Sequence, residues 1–347
     1  MRKIKLQRII IIALTMTLVG GLQALYDYAI LTSLFSLGPS ALYQFQTELV
    51  FNLASGFGGG LVAGVTLNLI DNRFRTKPYY QSLIILVSMF ILVWAIRNTI
   101  EGLFQMEEKG AFYFSFDATD IKNIVFWMII VILAYFFLEM NNKFGPGKLG
   151  KIFLGKFNTP VEEERIFMFL DLKSSTTIAE QLGGVAYHLF LKELFSDVTA
   201  PILETGGEIY QYVGDEIVLS WEVGHPENSA NCIRCFFAIQ QLLDKEESKY
   251  LRKFGVKPHF KAGAHYGSVI VGEIGVIKRD ITYSGDVLNT TARIQGMCNE
   301  LETIFLMSKS LFELAGSDAS RWTIERKGKI PLKGKKEAMD LMSVELN

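Results

Sequence analysis

Two aspartates in the second half of the chain have the chemistry of a metal site. Asp171 ends the β-branched and aromatic run RIFMFLDL, and Asp215 lies in the Gly-Asp turn of QYVGDEIVLSW, between two further apolar runs. The first run fits a buried strand, and the turn fits a β-hairpin. Taken alone, that turn is an ordinary hairpin in which the glycine supplies a positive φ. Taken with Asp171, it becomes a candidate site, because two carboxylates at one point repel unless hard cations such as Mg2+ or Mn2+ join them. The pair predicts a two-metal site for phosphoryl transfer. Ser174, Ser175 and Thr176 follow as helix-start residues, and the free N–H groups there make a cradle for a metal-bound polyphosphate.

For Asp171 and Asp215 to meet, the first strand must lie beside the hairpin. The strand Arg165 to Leu172 is followed by an amphipathic stretch to about Glu204, then by hairpin strands Glu208 to Val213 and Glu216 to Trp221. A helix from about Asn228 to Lys253 follows, then strands near His259 to Tyr266 and Ser268 to Ile274, and a helix opening near Asp286. The order strand, helix, hairpin, helix, strand predicts a ferredoxin-like α/β sandwich with later additions, which sets the first strand next to the hairpin.

Five stretches, FLDLKSST, YVGDEIV, GAHYGSVIVGEIG, YSGDVLNTTARI and LKGKKE, give the soluble half a resemblance to the catalytic domain of class III nucleotidyl cyclases. The resemblance implies that Asp171 and Asp215 hold two Mg2+ or Mn2+ ions per site. It implies that Asn289 and Arg293, four apart on one helix face, orient the ribose and stabilise the transition state. It also makes Lys333 a triphosphate contact, with Lys335 as the alternative. Leu172, Ser174, Ser175 and Thr176 fall on the substrate side of the metal motif. The product implied is a 3′,5′-cyclic nucleotide plus pyrophosphate, made in a head-to-tail homodimer in which one protomer supplies the aspartates and the other the Asn, Arg and base readers. YVGDEIV also approaches the G-G-D-E-F signature of diguanylate cyclases, but it is one glycine short and has Ile217 in place of the phenylalanine. Nothing in that family requires SGDVLNTTARI or LKGKK.

Base choice is where the chain departs from the best-known pattern of the family it resembles. Adenylate-specific members place a lysine and an aspartate at the base-reading positions, guanylate-specific members a glutamate and a cysteine; here the positions hold Gln211 and Thr282. Both side chains donate and accept, so neither excludes either purine. The missing glutamate, which would take guanine's donors with a full charge, favours ATP over GTP. A catalytically silent nucleotide sensor is the other reading, but such domains lose a metal aspartate or the Asn-Arg pair, and all four residues are here. His188, His225, His259 and His265 show no catalytic spacing.

The first half has a different solvent. Stretches near Ile9 to Ile30, Leu49 to Ile70, Gln81 to Ile100 and Ile124 to Met140 are long and apolar enough to cross a bilayer. Arg2, Lys3, Lys5 and Arg8, then Arg73, Arg75 and Lys77, then Lys143, Lys148, Lys151 and Lys156 flank alternate ends, which predicts both termini in the cytoplasm of a multi-pass cell-membrane protein. Gly56, Gly60 and Gly64 line one face, suited to helix packing within the unit or to a dimer contact. Asp27, Glu48 and Arg97 lie near span ends. The expected division is a four-helix membrane domain over residues 1–142, a basic linker over 143–160 and a catalytic domain over 161–347. Gly145, Gly150 and Lys151 only imitate a P-loop, since Ile152 replaces the Ser/Thr that motif requires.

Net charge of −1 and a pI near 6.5 give no support to nucleic-acid binding. Three cysteines, Cys232, Cys235 and Cys298, are too few for a disulfide framework and point to a reducing compartment. Packing is the expected role of Cys232 and Cys235.

Overall fold

The computed structural model describes residues 2–34, 45–73, 79–109, 116, 118–145, 148–224, 228–316 and 322–346, and they divide into two compact units, Met1–Lys143 and Phe144–Asn347. Arg75, Lys77, Asp117 and His225 lie outside the described residues.

The first unit holds four helices, α1 (Arg2–Leu34), α2 (Phe45–Arg73), α3 (Tyr79–Lys109) and α4 (Ala118–Phe144). Each carries a segment long and apolar enough to cross a membrane, Leu6–Ile30, Phe45–Leu69, Tyr79–Ile96 and Asp120–Asn141. The glycine face of α2 packs inside the unit. A Cβ at Gly56 would stand 2.4 Å from the Met16 carbonyl oxygen, and one at Gly60 2.7 Å from the Ala13 Cα, so only glycine lets α1 and α2 approach this closely. Asp27 pairs with Lys122 across 2.6 Å, while Glu48 is exposed.

The second unit opens with α5 (Lys148–Phe153), so most of the expected linker joins this unit, and Phe157 enters a core there. It continues β1 (Val161–Leu172), α6 (Ser175–Leu182), α7 (Gly184–Glu204), β2 (Glu208–Val213), β3 (Glu216–Glu222), α8 (Asn228–Lys245), α9 (Glu247–Phe254), β4 (Phe260–Ile274), β5 (Asp280–Ser284), α10 (Asp286–Gly296), β6 (Phe305–Ser308), α11 (Lys309–Ala315), β7 (Trp322–Ile330) and β8 (Met339–Leu346). One sheet runs β2-β3-β1-β4-β6-β8-β7, with β5 pairing β4. The first four positions are the ferredoxin-like arrangement, with β1 antiparallel to both β3 and β4.

Alternation along β1 divides the domain into two layers. Ile166, Met168, Leu170 and Leu172 face the larger core with Phe190, Leu194, Ile233 and Phe236 of α7 and α8. Phe167 and Phe169 face a second core with Tyr283 and Val287 of β5 and α10. Cys232 and Cys235 are buried in the larger core, and burial pushes the Cys235 thiol up to about 12, so both pack as small apolar residues.

Three expected elements differ in detail. The stretch to Glu204 breaks at Gly183, whose φ of 74° ends α6 and starts α7 at a new angle. The helix to Lys253 breaks at Glu246 into α8 and α9. The two strands flanking Gly267 are one 15-residue strand, β4. Gly267 serves packing there, since a Cβ would reach Val287 of α10 at 3.4 Å. Gly263, two turns of the pleat earlier, is tighter still, since a Cβ there would fall 2.3 Å from the Gln295 nitrogen. These glycines let α10 lie directly on the sheet, and that contact builds the site.

Candidate active site

The sheet brings the two sequence motifs together. Asp171 pairs with Glu216 across β1 and β3 and with Lys261 across β1 and β4, while Asp215 occupies the hairpin turn beside Glu216. Gly214 holds that turn with a φ of 63°, as an ordinary hairpin would, and the same turn delivers Asp215 to the end of β1.

Asp171 is held by two side chains that pattern reading missed. Its Oδ2 lies 3.1 Å from Lys261 Nζ and accepts from Gln295 Nε2 at 3.1 Å. Even so, burial lifts the Asp171 carboxyl above its usual range, and the nearby charge of Asp215 adds to the rise. Burial, then the charges of Asp171 and Asp215, push Glu216 up to about 7. Tyr187 of α7, hydrogen-bonded to Ser175, stands close enough to feel both aspartates. Carboxylates that stay raised by burial and crowding even with Lys261 beside Asp171 are an electrostatic demand for positive charge, and all-oxygen donors suit a hard divalent cation. Asp171 and Asp215 therefore fit such ions.

Glu216 makes this demand measurable. Its folded pKa of about 7 exceeds its unfolded value of 4.5, so its contribution to stability is fully present below pH 4.5 and is lost as pH rises to about 7. In EDTA, Glu216→Gln is expected to match the parent protein's Tm near pH 4.5 and to exceed it increasingly toward about pH 8, because glutamine cannot acquire the charge. A difference independent of pH, read by differential scanning fluorimetry, refutes the crowding.

Beside the carboxylates, α10 and the hairpin enclose a cleft of about 400 Å3 lined by Phe169, Tyr210, Gln211, Tyr283, Leu288 and Asn289, among others. The β2/β3 register slips between Ile209 and Gln211, and through this bulge Tyr210 and Gln211 both line the cleft. Thr282 lies on β5 opposite Gly272, half-buried, and the cleft wall is formed instead by its neighbours Tyr283 and Ser284. Asn289 lines the cleft, and Arg293, one turn on, stands beside Gly334, where a Cβ would lie 3.4 Å from its guanidinium. Lys335 donates to Asp286 at the start of α10, while Lys333 is exposed in the same turn.

The helix-start residues divide. Ser174 caps α6 from the left-handed region, with φ of 59° and no side-chain cap bond, and Ser175 begins the helix, with Thr176 following. The Leu172 side chain is buried in the larger core, so only its backbone is open to a ligand. His265 is bonded to Ser308 at 2.8 Å, and burial lowers it to about 4, so it is neutral at pH 7.

Behind the cleft lies a buried arginine. Arg165, 1% exposed, donates to Glu163 at 2.9 Å, Glu208 at 3.1 Å, Ser220 at 3.1 Å and Glu222 at 2.9 Å. Its guanidinium also lies 5.0 Å from the Tyr283 ring centroid, and Tyr283 meets Tyr210 edge-on at 4.8 Å. Arg165 thus ties β1, β2 and β3 to the aromatic wall of the cleft. Arg165→Met would remove four hydrogen bonds and strip Glu208 of the cation that Arg165 supplies, while Glu163 and Glu222 keep Lys156 and Lys151, a loss of about 3 kcal/mol. The expected result is a Tm lower by about 6–12 °C, and Arg165→Lys recovers only part of it, because one compact ammonium cannot span three carboxylates. An unchanged Tm in Arg165→Met overturns this role.

A family model described as the adenylate and guanylate cyclase catalytic domain matches residues 160–343. Among curated proteins, Adenylate cyclase 2 of Rhizobium meliloti (strain 1021) is 37% identical over 176 residues, 51% of this chain and 48% of that one. Adenylate cyclase of Anabaena cylindrica is 28% identical over 183 residues, 51% of this chain and 36% of that one. The chain thus spans half or less of the length of these relatives. A solved structure of a bacterial light-regulated adenylyl cyclase is similar with a TM-score of 0.54 at 22% identity, over 66% of each chain, a likeness of fold.

Proposed function

The chain belongs to the adenylate and guanylate cyclase catalytic-domain family, and from that premise we propose that it is a membrane-anchored cyclase converting ATP to 3′,5′-cyclic AMP and pyrophosphate. The observation that carries the proposal is the cleft shared by Gln211 and Asn289, with Asp171, Asp215 and Glu216 crowded at the neighbouring strand ends. Asp171 and Asp215 would hold two Mg2+ or Mn2+ ions, which when bound supply charge stabilisation at the phosphates and ease loss of the 3′-hydroxyl proton.

The chain's own residues do the positioning. Gln211 meets the edge of the base beside the paired rings of Tyr210 and Tyr283, and Asn289 orients the ribose so that its 3′-oxygen faces the α-phosphorus. As the 3′-oxygen bonds to the α-phosphorus and its proton passes to solvent water, the bond from the α-phosphorus to the bridging oxygen breaks, and pyrophosphate leaves. Arg293 and the Lys333–Lys335 turn neutralise the charge that develops on it. The names of the Rhizobium and Anabaena relatives support ATP, as does the lack of a glutamate at position 211.

Because Asp171 and Asp215 do not line the cleft that holds Gln211 and Asn289, the reading is of a head-to-tail homodimer with each site shared between chains. The membrane unit places the catalytic domains on the cytoplasmic side and raises their effective concentration. The purified full chain, given Mn2+ with ATP or with GTP, is expected to release cyclic AMP and pyrophosphate. No cyclic product from either nucleotide would sink the enzyme reading, and exclusive use of GTP would reverse the choice of base.

A further inference from the structure

We propose that residues 151–157, the strap that leads from α5 toward β1, are a positioning element for the pocket that takes the nucleotide base. The proposal rests on the cyclase reading, since it gives the strap a part in holding the wall beside Gln211. The local structure of the strap is fixed by its own backbone. Leu154 N–H donates to the Gly150 carbonyl and Lys156 N–H to the Lys151 carbonyl, each at 3.0 Å, and Gly155 turns the chain out of α5 with a φ of 69°. That turn delivers Phe157, 7% exposed, to the second core, which also holds Tyr283 and Val287. The Phe157 carbonyl accepts from Glu273 N–H at 3.1 Å, so the strap is pinned to the end of β4 as well.

Two lysines fasten the strap to the carboxylates that hold Arg165. Lys151 lies 3.2 Å from Glu222 Oε1, the oxygen that also accepts from Arg165 at 2.9 Å. Lys156 lies 3.0 Å from Glu163 Oε1, and the other oxygen of that carboxylate accepts from Arg165 at 2.9 Å. Arg165 in turn lies under the Tyr283 ring, and Tyr283 N–H donates to the Tyr210 hydroxyl at 3.3 Å. Both tyrosines line the cleft. The strap therefore bears on the wall by two routes, an apolar one through Phe157 and an ionic one through Arg165. Partly exposed ion pairs contribute little singly, so Phe157 carries most of the expected effect.

The test uses the full chain in lipid nanodiscs and two readouts, the kinetics of cyclisation and the hydrogen exchange of the Tyr283 amide. Phe157→Ala is expected to raise the KM for the cyclised nucleotide about three- to ten-fold, the range of one aromatic packing contact, with kcat within about two-fold of the parent. Phe157→Leu, which keeps most of the apolar volume, is expected to recover part of this. Lys151→Glu combined with Lys156→Glu sets like charges against Glu222 and Glu163 without opening the core, and is expected to move KM in the same direction. In both the Phe157→Ala and the double-lysine protein the Tyr283 amide is expected to exchange faster, because its bond to Tyr210 is held less firmly.

Phe312→Ala separates positioning from lost stability. Phe312 packs against the larger core from α11, away from the wall, so its substitution is expected to lower the Tm while leaving KM and Tyr283 exchange at the parent values. Should the chain form no cyclic product, the cyclase reading fails by itself and exchange at Tyr283 alone decides whether the strap holds the wall. Should Phe157→Ala not fold, the double-lysine protein decides by the same readouts. Parent KM in an active variant, parent exchange at Tyr283, or an equal rise in KM for Phe312→Ala at matched loss of Tm overturns the proposal.

Discussion

Asp215→Ala is expected to lower cyclic nucleotide formation by at least about 10^3-fold, since a metal clamp contributes several kcal/mol and each 1.4 kcal/mol is tenfold in rate. The protein is expected to remain folded, because Asp215 sits in a hairpin turn while the strand pairs around it involve backbone groups. In the absence of metal the substitution removes one of three crowded carboxylates, so the Tm in EDTA is expected to stay level or rise. Asp171→Ala shares the loss of activity but not the gain in stability, because it also strips Lys261 and Gln295 of the oxygen they hold at 3.1 Å. Mn2+ is expected to raise the Tm of the parent protein by mass action and to leave both variants unmoved. Turnover close to the parent rate in Asp215→Ala, or a full Mn2+ shift in its Tm, removes Asp215 from the metal site.

The sequence made the frame of this site legible because its markers are local. RIFMFLDL and QYVGDEIVLSW announce strands by composition and a turn by Gly214-Asp215, and the order of elements then forces β1 beside β3. Distances set by register left no such trace. Lys261 reaches Asp171 only because β4 pairs with β1 in one register, and Gln295 reaches it only because Gly263 lets α10 descend onto the sheet. The bulge at Tyr210 was equally silent, since an extra residue in a strand has no signature when its neighbours remain apolar and aromatic. Arg165 did carry a signal, a lone cation heading an apolar strand after three glutamates, but its partners Glu208 and Glu222 are distant in sequence. Gly267 misled, because a glycine between two strand-like runs marks a turn as readily as a close packing contact.

The arrangement of the two residue sets leads to a sharper expectation. Gln211 and Asn289 share a cleft, whereas Asp171 and Asp215 gather at the ends of β1 and β3 outside its lining. If each chain gives one set to its partner, a chain carrying Asp215→Ala and a chain carrying Arg293→Ala are both inactive alone and repair each other when coexpressed. Random pairing makes half of the dimers mixed, and each mixed dimer has one intact site of two, so about a quarter of the parent activity is expected. Coexpressing Asp171→Ala with Asp215→Ala is expected to restore nothing, because both losses fall in the same half of the site and every pairing lacks a ligand. The two mixtures differ only in which residues are lost, so expression level and membrane insertion cancel between them. Restoration by neither mixture, with each parent half folded, means that one chain completes its own site. The distance between carboxylates and cleft would then have to close within a chain, through movement of the β2/β3 hairpin.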